Sequence, residues 1–211
     1  MKKNNHLGKF IVIEGIDGAG SQTQSELLIK LLKKKKIGVE KLTYPDYSGK
    51  IGKLIHRFLH KKYDFLPETQ FLLYFLDFLK DKKKIEKWKK QGKIVIADRY
   101  FTSTLAYQGQ KGIPLKSALK IAQISDLPKP DLIIYLKISA KTAIKRKFKE
   151  KNNLDRHEAD KKFLEKVAKF YETLAKKQIF GKWVVIDGEK STEEVFSRIK
   201  TIVSKRFKVR H

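Results

Sequence analysis

The stretch Glu14-Gly15-Ile16-Asp17-Gly18-Ala19-Gly20-Ser21-Gln22-Thr23-Gln24 holds the residues whose types and spacing are best suited to chemistry. Its three glycines let successive backbone N–H groups turn inward as an anion nest, and the helix that follows adds the partial positive charge of its N-terminus. The phosphate-binding pattern of this kind is G-x-x-x-x-G-K-[ST]. Gly15 and Gly20 keep its spacing, but Ser21 stands at the lysine position and Gln22 at the position of the magnesium-binding hydroxyl. A second candidate is Asp98-Arg99-Tyr100, where the carboxylate is suited to hold a magnesium ion through water and the guanidinium to grip a second phosphate. Taken alone, each also allows a structural role, a ligand-free turn in the first case and a strand-end ion pair in the second. A third is the polar, basic segment 147–158, which reads as a mobile loop.

These residues need a frame that brings strand ends together. Apolar runs of strand length recur at Phe10–Ile13, Val39–Tyr44, Ile94–Ala97, Leu132–Leu136 and Trp183–Ile186. They are rich in Ile and Val and scarcely alternate, the pattern of strands buried on both faces. Helical patterns lie between them. Leu27, Leu28, Leu31 and Leu32 make an apolar stripe, with Gln24, Lys30, Lys33 and Lys34 predicted on the opposite, solvent face. Pro67-Glu68 opens a pattern predicted to run as one helix to about Gln91, stopped by Gly92. Ser139–Lys149, Glu158–Lys177 and Ser191–Phe207 read as further helices, the last opened by the capping-box spacing of Ser191 and Glu194. Strand–helix alternation means an α/β fold with a mainly parallel sheet, in which ligands bind beyond the carboxyl ends of strands. The glycine loop and Asp98-Arg99 both fall at such ends.

The 211 residues carry no repeat and no Gly/Ser/Pro-rich linker, so a single domain over 1–211 is expected. There is no cysteine, which excludes disulfide frameworks, thiolate zinc sites and cysteine nucleophiles. Met1-Lys2-Lys3 begins like a leader, but the first apolar run ends at Glu14 and none approaches the roughly 20 residues of a membrane span. A cytoplasmic protein without a membrane partner is expected. Lys+Arg 49 against Asp+Glu 23 gives a net charge of +26, a field that attracts polyanions. Seven of those cations are arginine, and the lysines are spread along the chain, with runs such as Lys33–Lys36 and Lys82–Lys84 on expected solvent faces. No specific nucleic-acid partner is therefore expected.

Six segments in order resemble thymidylate kinases over nearly the whole chain. They are Glu14–Gly20; Tyr44-Pro45 with Ile51-Gly52; Leu72-Leu73-Tyr74; Asp98-Arg99-Tyr100 with Ser103 and Ala106-Tyr107-Gln108-Gly109; Leu127–Asp131; and Asp155-Arg156-His157-Glu158. The resemblance implies a P-loop kinase fold, with a five-stranded parallel sheet flanked by helices and a short lid at about 147–158. It implies phosphoryl transfer from ATP, with Mg2+, to dTMP, by a chain that commonly forms a cytoplasmic homodimer. On this reading Gly15, Asp17, Gly18, Ala19, Gly20, Ser21, Gln22 and Thr23 cradle ATP, and Arg146 lies by its adenine. Asp17, Tyr44, Pro45, Tyr74, Phe78, Arg99, Ser103, Tyr107 and Gln108 form the dTMP site, with Tyr74 stacked on the base. Asp98 lies near the metal. Asp17, Arg99 and Arg156 carry the catalytic roles.

Three departures stand out. Ser21 replaces the phosphate-loop lysine, Phe78 replaces an acceptor-side arginine, and Tyr47 replaces another near Tyr44-Pro45. A lid cation among Arg146, Lys147, Lys149, Lys151 and Arg156 is expected to take the lysine's place, with Arg156 first. His157 is a candidate to touch the sugar, although a lone histidine is usually exposed. The departures keep open two alternatives, a catalytically impaired nucleotide-binding homologue with a regulatory or structural role, and a kinase for a different nucleotide acceptor.

Overall fold

Strands form where the Ile/Val-rich runs stand: β1 (Lys9–Glu14), β2 (Val39–Thr43), β3 (Ile94–Asp98), β4 (Leu132–Lys137) and β5 (Trp183–Asp187). In the computed structural model, which describes residues 8–150, 155–158 and 160–207, they pair in parallel in the order β2-β3-β1-β4-β5. Nine helices are seen among the described residues: α1 (Ser21–Lys34), α2 (Lys50–Leu59), α3 (Pro67–Leu79), α4 (Lys82–Lys90), α5 (Phe101–Gly109), α6 (Leu115–Ile124), α7 (Ala140–Glu150), α8 (Lys161–Lys176) and α9 (Thr192–Phe207).

The central strands are buried because they lack a polar face. Phe10–Ile13, Val95–Ala97 and Leu132–Leu136 are without solvent contact. Register then sets the site. Ile13 lies opposite Asp98, and Glu14 opposite Tyr135, so the carboxyl ends of β1, β3 and β4 finish side by side. The Leu127–Asp131 segment has a structural use, since Asp131 Oδ2 accepts the Phe10 N–H at 2.8 Å and Lys89 Nζ at 2.9 Å, fixing the entry to β1. Among the described residues no helix is long and apolar enough to cross a membrane.

Several expectations need correction. The stretch 67–91 is two helices, because the buried Asp81 takes Tyr44 Oη at 3.1 Å and the ammonium groups of Lys80 at 2.7 Å and Lys84 at 2.8 Å, turning the chain there. Gln24 is buried, with its Nε2 donating to Thr192 O at 3.0 Å where α1 meets α9. Helix α8 starts at Lys161 instead of Glu158, capped by Asp160 Oδ1, which accepts the Phe163 N–H at 2.9 Å. The capping box of α9 forms as its spacing predicts, with Ser191 N–H to Glu194 Oε2 at 3.0 Å and Glu194 N–H to Ser191 Oγ at 3.2 Å. α2, α5 and α6 have no counterpart in the sequence reading.

Candidate active site

Two loops leave neighbouring strands and are tied to one another. Glu14, at the end of β1, is fully buried and accepts four hydrogen bonds, from Tyr100 N–H (3.1 Å), Thr102 Oγ1 (2.6 Å), Ser103 Oγ (2.6 Å) and Tyr171 Oη (2.8 Å). Burial raises its pKa, and these donors offset part of that cost. Glu14 thus brackets β1 to the start of α5 and to α8. Arg99, held at φ 65°, turns back across the gap. Its Nη1 donates to Gly15 O at 2.7 Å and its Nη2 to Asp17 Oδ1 at 2.8 Å. Tyr107 Oη donates to Asp17 Oδ2 at 2.7 Å and accepts the Asp17 N–H at 3.2 Å. Burial alone would raise the Asp17 pKa, but Arg99 and then Tyr107 hold it below the usual carboxylate range. Burial likewise opposes the Arg99 charge, and Asp17 outweighs it.

The glycine loop ends at the N-terminus of α1. Gly20 precedes α1 in the left-handed conformation (φ 88°), and among the described residues no side chain caps the helix and no acid lies in its first turn. The first N–H groups of such a helix have no intrahelical partner. Gln22 and Thr23 are exposed, and Gln22 Nε2 binds Glu26 Oε1 at 3.2 Å, so their side chains leave the loop. Ser21 is buried at the start of α1, near the Asp98 carboxylate. Burial raises the Asp98 pKa, partly countered by Arg99 and Ser21, and its buried Oδ1 has no hydrogen-bond partner among the described residues. A carboxylate oxygen without a partner beside the glycine loop fits Mg2+, which takes one or two carboxylates together with substrate phosphates.

Beside Asp17 and Arg99 opens a cleft. All nine residues expected at an acceptor site line it, namely Asp17, Tyr44, Pro45, Tyr74, Phe78, Arg99, Ser103, Tyr107 and Gln108. Leu59, Thr104 and Asp155, which sequence reading missed, line it too, as do Tyr47 and His157. Phe78 forms its floor, edge-on to Tyr44 at 5.0 Å and to Tyr100 at 5.2 Å. Ser103 Oγ is largely spent on Glu14 and Tyr171 (2.8 Å). Two buried lining groups, Thr104 Oγ1 and Gln108 Nε2, lack a partner among the described residues. A buried polar group without a partner is costly, so a ligand able to pair with both is favoured there. His157 is 5% exposed, correcting the expected exposed histidine. Burial, followed by Lys111, pushes its pKa down to about 3, so it is neutral. Lys111 Nζ, 3.4 Å from Nε2, has only protons to offer, which places the ring proton on Nδ1.

The lid behaves differently from expectation. Arg156 Nη1 pairs with Asp64 Oδ1 at 2.7 Å, its guanidinium lies 4.6 Å from the Phe58 ring centre, and its backbone N–H donates to Leu59 O at 3.2 Å. These partners lie on α2 and the loop after it, so Arg156 is not brought to the glycine loop. Arg146 is brought there, with Nη1 to Gly18 O at 3.5 Å and Nη2 to Gly188 O at 3.0 Å. The expected loop 147–158 begins as helix, since α7 runs to Glu150; Lys151 and residues 152–154 lie outside the described residues.

Comparison with known proteins gives one family. The family model for thymidylate kinase matches residues 13–199. The chain is 37% identical over 203 residues to thymidylate kinase of Thermosipho africanus, covering 93% of this chain and 98% of that one. It is 31% identical over 195 residues to the human thymidylate kinase, covering 92% and 89%. The structure of thymidylate kinase from Candida albicans superposes with a TM-score of 0.76 at 24% identity, over 96% of this chain and 94% of that one, a likeness of fold.

Proposed function

This chain belongs to the thymidylate kinase family, and from that premise we propose that it transfers the γ-phosphoryl group of ATP to dTMP, giving ADP and dTDP. The observation that carries the reading is the cleft itself. An aromatic floor and walls, two buried unpaired polar groups at Thr104 and Gln108, and the Asp17–Arg99 pair suit a flat heterocycle carrying a phosphate.

The chemistry asks for alignment and charge balance more than for covalent help. An oxygen of the dTMP phosphate forms a bond to the γ-phosphorus while the bond from that phosphorus to the bridging oxygen breaks, its electron pair leaving with ADP. The acceptor is already ionised, so no proton need be moved. The N-terminus of α1 and the glycine loop hold the donor phosphates. Arg99 faces the acceptor phosphate from a fixed position, because Gly15 O and Asp17 pin its guanidinium. Asp17 stands between donor and acceptor and keeps them in register. Kinases of this family rely on a metal with the nucleotide; here the Asp98 carboxylate would hold Mg2+, which would supply charge neutralisation at the phosphates. We propose further that the protein acts in the cytoplasm as a homodimer of single-domain chains.

A coupled assay of ADP release with ATP and Mg2+ tests the activity. ADP formation is expected to depend on dTMP and to be slower with dUMP and dCMP. ATP binding without dTMP-dependent ADP release selects the impaired nucleotide-binding homologue, and faster turnover of another nucleotide selects a different acceptor.

A further inference from the structure

The phosphate loop lacks the lysine that this motif aims at the terminal phosphates, and packing narrows the search for its substitute. Gly18 sits at φ 85°, and a Cβ there would stand 2.6 Å from Ala143 O. Helix α7 is therefore seated on the phosphate loop, with the fully buried Ala143 in the contact. Lys147 lies one helical turn beyond Ala143, on the same face. Its side chain is 24% exposed, whereas Lys141, Lys145 and Lys149 of the same helix are exposed. Lys151 lies outside the described residues, and the remaining two candidates are engaged. Arg146 clamps Gly18 O and Gly188 O, and Arg156 is drawn to Asp64 and Phe58. Lys147 Nζ is held at 2.6 Å by Glu150 and stands 3.9 Å from Glu158. Glu150 is 61% exposed, a screened partner that a polyphosphate displaces.

We propose that Lys147 takes the place of the absent phosphate-loop lysine, its ammonium exchanging Glu150 for the terminal phosphates of bound ATP. Arg99 and Tyr107 chiefly hold the Asp17 carboxyl low, and the Lys147 charge adds to them. The proposal rests on the kinase reading above and differs from the sequence expectation in choosing Lys147 over Arg156.

The test compares K147M, K147R and R156A, together with S21K/K147M, in ADP release at saturating dTMP, with calorimetry of ATP binding and a thermal unfolding check on each. K147M is expected to lower kcat by about a hundred- to a thousandfold, the size of a lost preorganised charge partner, with the KM for dTMP within about twofold. K147R should keep most activity, R156A should lose less than about tenfold, and S21K/K147M should regain at least about tenfold over K147M, because it restores a lysine to the loop. A K147M enzyme within about threefold of the unmodified chain overturns the proposal, and so does a loss that neither K147R nor S21K relieves, which marks Lys147 as structural. If the unmodified chain releases no ADP, the kinase reading fails on its own. The calorimetry then decides, with weakening of ATP binding by at least about tenfold in K147M supporting the substitution and unchanged binding overturning it.

Discussion

Replacing Tyr107 with phenylalanine probes the Asp17–Arg99–Tyr107 triad at a single oxygen. The ring, the cleft wall and the contact with Arg99 at 5.8 Å remain. Two hydrogen bonds go, the 2.7 Å bond to Asp17 Oδ2 and the 3.2 Å bond from the Asp17 N–H. A hydrogen bond to a charged group contributes about 1.5–3 kcal/mol and one to a neutral N–H about 1 kcal/mol. A quarter of the Asp17 side chain is open to the cleft, so water restores part of this, and Arg99 keeps the other carboxylate oxygen. The net cost is about 2 kcal/mol, or roughly 4–8 °C in Tm for a chain of this length. The pH dependence follows from the Asp17 pKa, which lies below the ordinary carboxylate value of 3.8 in the folded chain. The Tyr107 bond favours the carboxylate, so its stabilisation is complete above the unfolded pKa and is lost as the pH falls through the lower folded value. Denaturant unfolding of both proteins between about pH 7 and pH 2.5 should show a gap widest at neutral pH and closing in acid. A gap below about 0.5 kcal/mol at pH 7, or one that holds or widens on acidification, refutes the assignment of these bonds to the ionised Asp17.

Other substitutions test the remaining joints. Gly18→Ala puts a side chain in the left-handed region, costing about 1–2 kcal/mol, and sets its Cβ against Ala143 O; thermal unfolding should fall and ATP binding weaken as α7 is displaced, and an unchanged Tm would contradict the seating of α7 on the loop. Phe78→Ala removes a side chain that is 1% exposed and braces Tyr44 and Tyr100, so denaturant unfolding should show a loss of about 3–5 kcal/mol, and a loss under about 1 kcal/mol would mean the floor is not packed as described. Arg99→Lys keeps the charge but cannot span Gly15 O and Asp17 together, so kcat/KM for dTMP should drop by at least about a hundredfold; a fall under about fivefold in steady-state kinetics would show that charge alone suffices.

Much of the protein is written in short-range signals. Ile/Val-rich runs marked the five strands and the parallel sheet; β1, β3 and β4 are buried on both faces as such runs predict, whereas the edge strands β2 and β5 stay partly exposed because a neighbour covers them on one side only. Gly15 and Gly20 at fixed spacing marked the loop that opens α1, and the order of six segments picked out nine residues that all line one cleft. Charges and partners were less legible. Glu14 passed as the first letter of a loop, because the four donors from Tyr100, α5 and α8 converge on it only in three dimensions. The break at Asp81 depends on Tyr44, far away along the chain, and helical periodicity carries no trace of it. Among the lid cations the sequence alone favoured Arg156, yet the fold draws that residue to Asp64 and leaves Lys147 on the face of α7 that meets Gly18. A local pattern determines what an element is, because period and turn chemistry act over a few residues. Which cation meets which anion is decided by how helices seat on strand ends, and that depends on contacts the whole chain must make at once.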